Sequence, residues 1–208
     1  MAPRLAPGYQ VWGRFNLYGP LIRAALGRAG EELRAKAVDA LDLVPGAAAI
    51  DVGTGTGLTL PLLAARVGSS GRVVGLDSST AMLAHAAARA PAPPLELHLA
   101  SAEALPFADA SFDAAIATYA MTAVDDAALA VSELVRVVRP GGRIAIAEVH
   151  AVNWPTPALV NAAVTRALRP FNTWHTERAI PPLLEAAGVA PAIIETGRQA
   201  LSLTVATR

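Results

Sequence analysis

Ala48-Ala49-Ile50-Asp51-Val52-Gly53-Thr54-Gly55-Thr56-Gly57 is the stretch that decides the fold. A buried strand, Ala47 to Val52, runs straight into a turn where glycine recurs at alternate positions. Glycine has no Cβ, so such a turn lets a ligand approach the main chain. A helix, Leu58 to Val67, follows at once and opens into the same crevice. In open α/β sheets ligands bind there, beyond the carboxyl ends of the strands. Dinucleotide sites usually space their glycines G-x-G-x-x-G and bring a helix N-terminus to a pyrophosphate. Here Asp51 stands two residues before Gly53. A pyrophosphate gains nothing from that acid, whereas the ammonium of an amino-acid moiety does.

Working outward, Arg72 to Leu76 reads as a second strand, and Asp77 ends it. A carboxylate there can accept hydrogen bonds from both vicinal hydroxyls of a ribose. Either acid alone also reads as a cap or a solvated loop residue; on successive strand ends the two reinforce each other. Ser79 to Arg89 is a helix that Ser79 or Thr80 can cap. Ala90 to Pro94 holds three prolines and cannot be helix interior. Leu95 to Leu99 and Phe112 to Thr118 are strands, and Asp125 to Val138 is a helix opened by two acids. Pro140-Gly141-Gly142 turns into a further strand, Arg143 to Val149. Ahead of the glycine turn, residues 1–45 form a helical lead-in, with apolar spacing over Leu21 to Leu26 and Glu31 to Leu41. After Val149 the periodicity lapses. A short helix is expected over Ala158 to Leu168, another over Pro182 to Ala187, and strands near Ala192 to Thr196 and Leu201 to Ala206. This alternation predicts one α/β domain over residues 1–208, a mostly parallel sheet with helices on both faces.

Composition narrows the function. The chain has 208 residues, 17 acidic against 17 basic, which argues against binding nucleic acid by bulk electrostatics. Lys36 is the only lysine. There is no cysteine, so disulfides, thiolate metal sites and a cysteine nucleophile are excluded. No run approaches the roughly 18 apolar residues of a membrane span. The first residues lack the apolar core of a signal peptide, so a cytoplasmic location is expected.

Four ordered pieces then carry a resemblance: IDVGTGTG from Ile50, VVGLDSSTAML from Val73, SAEALPFADASFDAA from Ser101 and LVRVVRPGGRIAIAE from Leu134. The segment they mark out, nearly half the chain, resembles class I S-adenosylmethionine-dependent methyltransferases. It is most similar to the small group with ubiquinone and menaquinone biosynthesis enzymes and bacterial phosphatidylethanolamine N-methyltransferases. The resemblance implies a Rossmann-like seven-stranded sheet with the last strand antiparallel, and S-adenosyl-L-methionine as cofactor with S-adenosyl-L-homocysteine as product. It implies that Gly53, Thr54 and Gly55 line the methionine part with Asp51 nearby. Asp77 would hold the ribose, and Ser78 and Met82 would flank the adenosine. Ala102 and Glu103 would sit at the adenine edge, and Thr118 and Tyr119 beside the sulfonium. Ser101 stands where the family often has Asp; its hydroxyl can accept the same bond without charge assistance.

Methyl transfer from a sulfonium is an in-line displacement that chiefly needs alignment. A general base is required only if the acceptor must lose a proton. The candidates are His150, closing the fifth strand, and His175, before the last helix; the plainer reading is a polar strand end and a loop residue. Tyr119 completes the candidate catalytic set. Tyr9, Trp12, Phe15, Asn16 and Tyr18 read either as packing on the sheet edge or as a lid, with Tyr18 against the cofactor. Residues 151–175, with Trp154, Phe171 and Trp174, are expected to form a small cap on the acceptor side. Asp125 and Asp126 read as capping acids rather than metal ligands, and no metal site is expected. The expected acceptor is a small molecule or lipid-like, with no nucleic-acid partner. A nicotinamide-dependent reductase is disfavoured by the glycine spacing and by the place of Lys36, ahead of the loop. A methyltransferase-fold cyclase that keeps the cofactor site is the alternative, since function resides in the site and not the fold. A partner subunit with a degenerate pocket fits less well with the intact glycine loop and Asp77.

Overall fold

The computed structural model describes residues 18–89, 95–149, 179–196 and 201–208. In chain order these form α1 (Tyr18–Asp39), β1 (Ala48–Val52), α2 (Leu60–Val67), β2 (Arg72–Asp77), α3 (Thr80–Arg89) and β3 (Leu95–Leu99). Then come β4 (Phe112–Thr118), α4 (Ala127–Val137), β5 (Val138–Val149), α5 (Ile180–Ala186), β6 (Pro191–Thr196) and β7 (Leu201–Thr207). The strands make one 7-stranded sheet in the order β3-β2-β1-β4-β5-β7-β6. Strands β1 to β5 pair in parallel, and β7 runs antiparallel to both β5 and β6. That is the Rossmann-like methyltransferase architecture which the resemblance implied.

Alternate residues of each central strand go to opposite faces, as the pleat requires. Ile50, Ala115, Ile144 and Ile146 pack on one side with Leu134 of α4 and Ile180 and Leu184 of α5. Ala49, Ile116, Ala145 and Ala147 pack on the other with Leu33 and Val38 of α1, Leu60 and Leu63 of α2 and Ala86 of α3. Burial on both faces explains why the strand sequences are continuously apolar rather than alternating.

Caps set the helix starts. The Ser79 hydroxyl accepts from the Met82 amide at 3.3 Å ahead of α3, and Asp126 accepts from the Leu129 amide at 3.0 Å ahead of α4. The second fits the expected capping role for that acid. One expectation needs correcting. Strand β5 starts at Val138, before the Pro140-Gly141-Gly142 turn, because Val138 already pairs with Phe112. The register then shifts so that Ala114 pairs with Arg143, and the turn is a bulge within the strand. It is stitched to the chain end, the Gly141 amide donating to Arg208 O at 2.7 Å and the Arg208 amide to Gly142 O at 3.0 Å. The two helical stretches expected before residue 45 are both present within α1, separated by a kink at Gly27 (φ 53, ψ −143). The helix expected over Ala158 to Leu168 lies outside the described residues.

Candidate functional site

The strand order reverses between β1 and β4, each of which leads outward to its own half of the sheet. Crevices for ligands form at such a switch, beyond the carboxyl ends of the strands. The loop from Gly53 to Gly57 sits there and leans on β2: the Gly53 and Thr54 amides donate to Leu76 O at 2.8 and 2.9 Å. Its glycines serve different ends. At Gly53 (φ 72) a Cβ would fall 2.4 Å from the Ala120 Cβ, so the loop after β4 excludes any side chain. At Gly55 (φ 54) a Cβ would meet only Gly53 O, at 4.0 Å. Open access to the main chain, expected of the whole turn, therefore belongs to Gly55, while Gly53 is fixed by close packing within the protein.

Asp77 ties the loop to the next helix. One carboxylate oxygen accepts from the Gly55 amide and the other from the Ser79 amide, both at 2.9 Å. Asp51 is fully buried. Its Oδ2 accepts from the Thr54 hydroxyl at 2.6 Å, and its Oδ1 has no hydrogen-bond partner among the described residues. Burial pushes its carboxyl up to about 7, against the Thr54 bond and the charge of Arg34, with the charge of Asp77 adding to the rise.

The other wall comes from the end of β4. The Thr118 hydroxyl lies 3.1 Å from that of Thr59. Tyr119 takes positive φ (59), and its amide donates to Ala147 O at 2.7 Å. Its hydroxyl donates to Gly30 O of α1 at 3.0 Å, and burial pushes its pKa up to about 12. On the adenine side of the expected site, Ala102 and Met82 are buried and Ser78 is half-buried. Ser101 Oγ accepts from the Glu103 amide at 3.2 Å, and the Glu103 carboxylate accepts from the Asp126 amide at 2.7 Å. Asp51, Gly53, Thr54, Gly55, Asp77, Thr118 and Tyr119 thus lie on the strand ends and loops of one sheet edge. Tyr18 opens α1, but its side chain, His150 and His175 lie outside the described residues, as do Trp154, Phe171 and Trp174.

Two residues escaped the reading of the sequence. Glu148, near the end of β5, is fully buried; it accepts from the Met121 amide at 2.6 Å and keeps Oε2 without a hydrogen-bond partner among the described residues. Burial pushes its carboxyl up to about 7, against hydrogen bonds from Met121, Thr122 and Ala120. Its signal was an acid alone in the apolar run Ile144 to Val149. Arg34 of α1 is buried, with its guanidinium carbon 5.4 Å from the centre of the Tyr119 ring. Its signal was an arginine on the helical face of Gly30, Leu33, Ala37 and Leu41, at a spacing that buries it.

Residues 50–146 match a family described as a methyltransferase domain. A 2-phytyl-1,4-naphtoquinone methyltransferase from Thermosynechococcus vestitus is 38% identical over 74% of this chain and 64% of its own length. A demethylmenaquinone methyltransferase from Streptomyces avermitilis is 34% identical over 86% of this chain and 69% of its own. The chain spans 32% to 64% of the length of the first curated relatives that it matches. Among solved structures, a SAM dependent methyltransferase from Aquifex aeolicus superposes with a TM-score of 0.67 at 22% identity, covering 83% of this chain and 88% of that one.

Proposed function

The chain belongs to the class I S-adenosylmethionine-dependent methyltransferases, and from that premise we propose that it moves a methyl group from S-adenosylmethionine to a small or amphipathic acceptor. The observation that carries the reading is the glycine loop at the switch point, with a buried acid at the end of each strand it touches. The residues present fit the cofactor. Asp51 has a buried oxygen without a hydrogen bond from any described residue, and an ammonium supplies one. A carboxylate offers about four acceptor positions, so the Gly55 and Ser79 amides can share Asp77 with ribose hydroxyls. Gly55 leaves space beside its main chain. Ser78 and Met82, then Ser101, Ala102 and Glu103, are the proposed adenosine neighbours.

Bound S-adenosylmethionine supplies a methyl group on a cationic sulfur that leaves as a neutral thioether. The protein's share is to align the acceptor and exclude water, which is where most of the acceleration of such a displacement comes from. Thr118 and Tyr119 provide a fixed wall. With its hydroxyl given to Gly30 and its pKa raised by burial, Tyr119 positions rather than exchanges protons. Where the acceptor must lose a proton, His150, one residue past β5, and His175, shortly before α5, are the proposed bases. Both relatives are named for quinone acceptors. An acceptor with an apolar body is accordingly proposed here, with Trp154, Phe171 and Trp174 as its aromatic contacts.

Calorimetry with S-adenosylmethionine and S-adenosylhomocysteine tests the site, and transfer of labelled methyl to demethylated quinones and to phosphatidylethanolamine tests the acceptor. Heat with both nucleosides and label in an apolar acceptor is the expected result. Folded protein that binds neither nucleoside overturns the proposal.

A further inference from the structure

Arg34 is an expensive residue to bury. A guanidinium keeps its charge inside a protein, so removing it from water is costly unless its donors are met. It is 8% exposed, on the same helix as the buried Leu33, Ala37 and Val38, and among the described residues its Nε has no hydrogen-bond partner. It lies over the Tyr119 ring, within electrostatic reach of both Tyr119 and Asp51. Asp51 in turn has its own buried oxygen without a partner. A buried cation and a buried acid therefore share one end of the site, and each keeps a polar atom that none of the described residues satisfies.

Four of the five amides of the glycine loop are already engaged. The amides of Gly53 and Thr54 donate to Leu76 O, that of Gly55 to Asp77, and that of Gly57 to Thr54 O. With those four amides engaged, a side-chain cation is the stronger partner for an anionic group bound beside Asp51. Resting on the reading above, we propose that Arg34 binds the carboxylate of the cofactor's amino-acid end, opposite Asp51, which takes its ammonium. An α-amino acid carries those two charges on one carbon, in the order that an adjacent acid and arginine require. Ribose and adenine carry no carboxylate, so this contact reads only the amino-acid end. Arg89 also touches the loop, through Nε to Thr56 O at 3.0 Å, but it is exposed and serves as the control.

The test compares S-adenosylhomocysteine with its decarboxylated counterpart, S-adenosyl-3-thiopropylamine, by calorimetry on the full chain. Arg34→Met should weaken binding of the first by about 30-fold or more, as loss of a buried charge partner does, and leave binding of the second nearly unchanged. Arg89→Ala should shift both ligands alike. Arg34→Gln, neutral and able to hydrogen-bond, is read the same way should the Met variant not fold. An Arg34 variant that loses both ligands equally, or still discriminates as the parent chain does, overturns the assignment alone. A parent chain that binds neither ligand overturns the wider reading, and this assignment with it.

Discussion

Asp77 is occupied within the protein before any ligand arrives, since it fastens the Gly55 and Ser79 amides together. Asp77→Asn would turn an amide donor toward one of those N–H groups and weaken the charge-assisted contact to a ribose. S-adenosylhomocysteine affinity should fall about 10- to 100-fold by calorimetry, with a lower melting temperature; unchanged affinity would remove Asp77 from the site. Asp51 makes a different prediction. Its carboxyl, pushed up to about 7 by burial, is partly protonated near neutrality, and a cationic amino group beside it favours the ionised form. Binding at about pH 6 should therefore release a proton, and affinity should rise with pH through about 7. Titrations in buffers of different ionisation heat count that proton; zero release would contradict the contact. Asp51, Asp77 and the glycines were legible because they are contiguous with a strand and a turn. Arg34 and Glu148 were not, because their importance depends on what each packs against across the sheet.

At the level of the element, the glycine loop separates two causes of glycine. Gly53→Ala sets a Cβ against Ala120 in a positive-φ backbone, which should destabilise the fold by about 3 kcal/mol or more. Gly55→Ala carries only the conformational penalty, about 1–2 kcal/mol. It should fold yet bind the nucleoside poorly. Thermal melts beside calorimetry check the pair, and equal melting temperatures would contradict the packing difference. Most strands and helices were legible within a residue or two, since their apolar runs end at glycine, proline or a capping acid. The start of β5 was not. A Pro-Gly-Gly turn signals a break, and only the distant partner Phe112 keeps Val138 in the sheet. The helix ahead of β1 was legible in its two halves, because Gly27 interrupts it where the apolar spacing lapses.

Across the whole molecule, Asp51 and Glu148 place buried acids on opposite faces of the sheet. As pH rises above about 4 the unfolded chain releases these protons, while the folded chain holds them until about 7. The folded state binds more protons in that window. Stability should therefore be highest at the acid end of it, fall as pH rises to about 7 and level off above. Asp51→Asn should narrow the difference between about pH 5 and pH 8 by on the order of 2 kcal/mol, measured by denaturant melts; an unchanged difference would show that Asp51 is not the titrating group. Sheet composition and layering followed from the alternation of strands and helices. The direction of β7 was implied by the family resemblance alone, and the strand order became known only from the structure, because pairing partners leave no local mark. That order has a consequence for assembly. Strand β6 is joined to the sheet through β7, which follows it in the chain. During synthesis β6 therefore emerges before the strand that anchors it, and has to wait beside an open β5 edge until β7 slots between them. Nascent chains halted in that interval should be the form most exposed to mispairing and to chaperone capture.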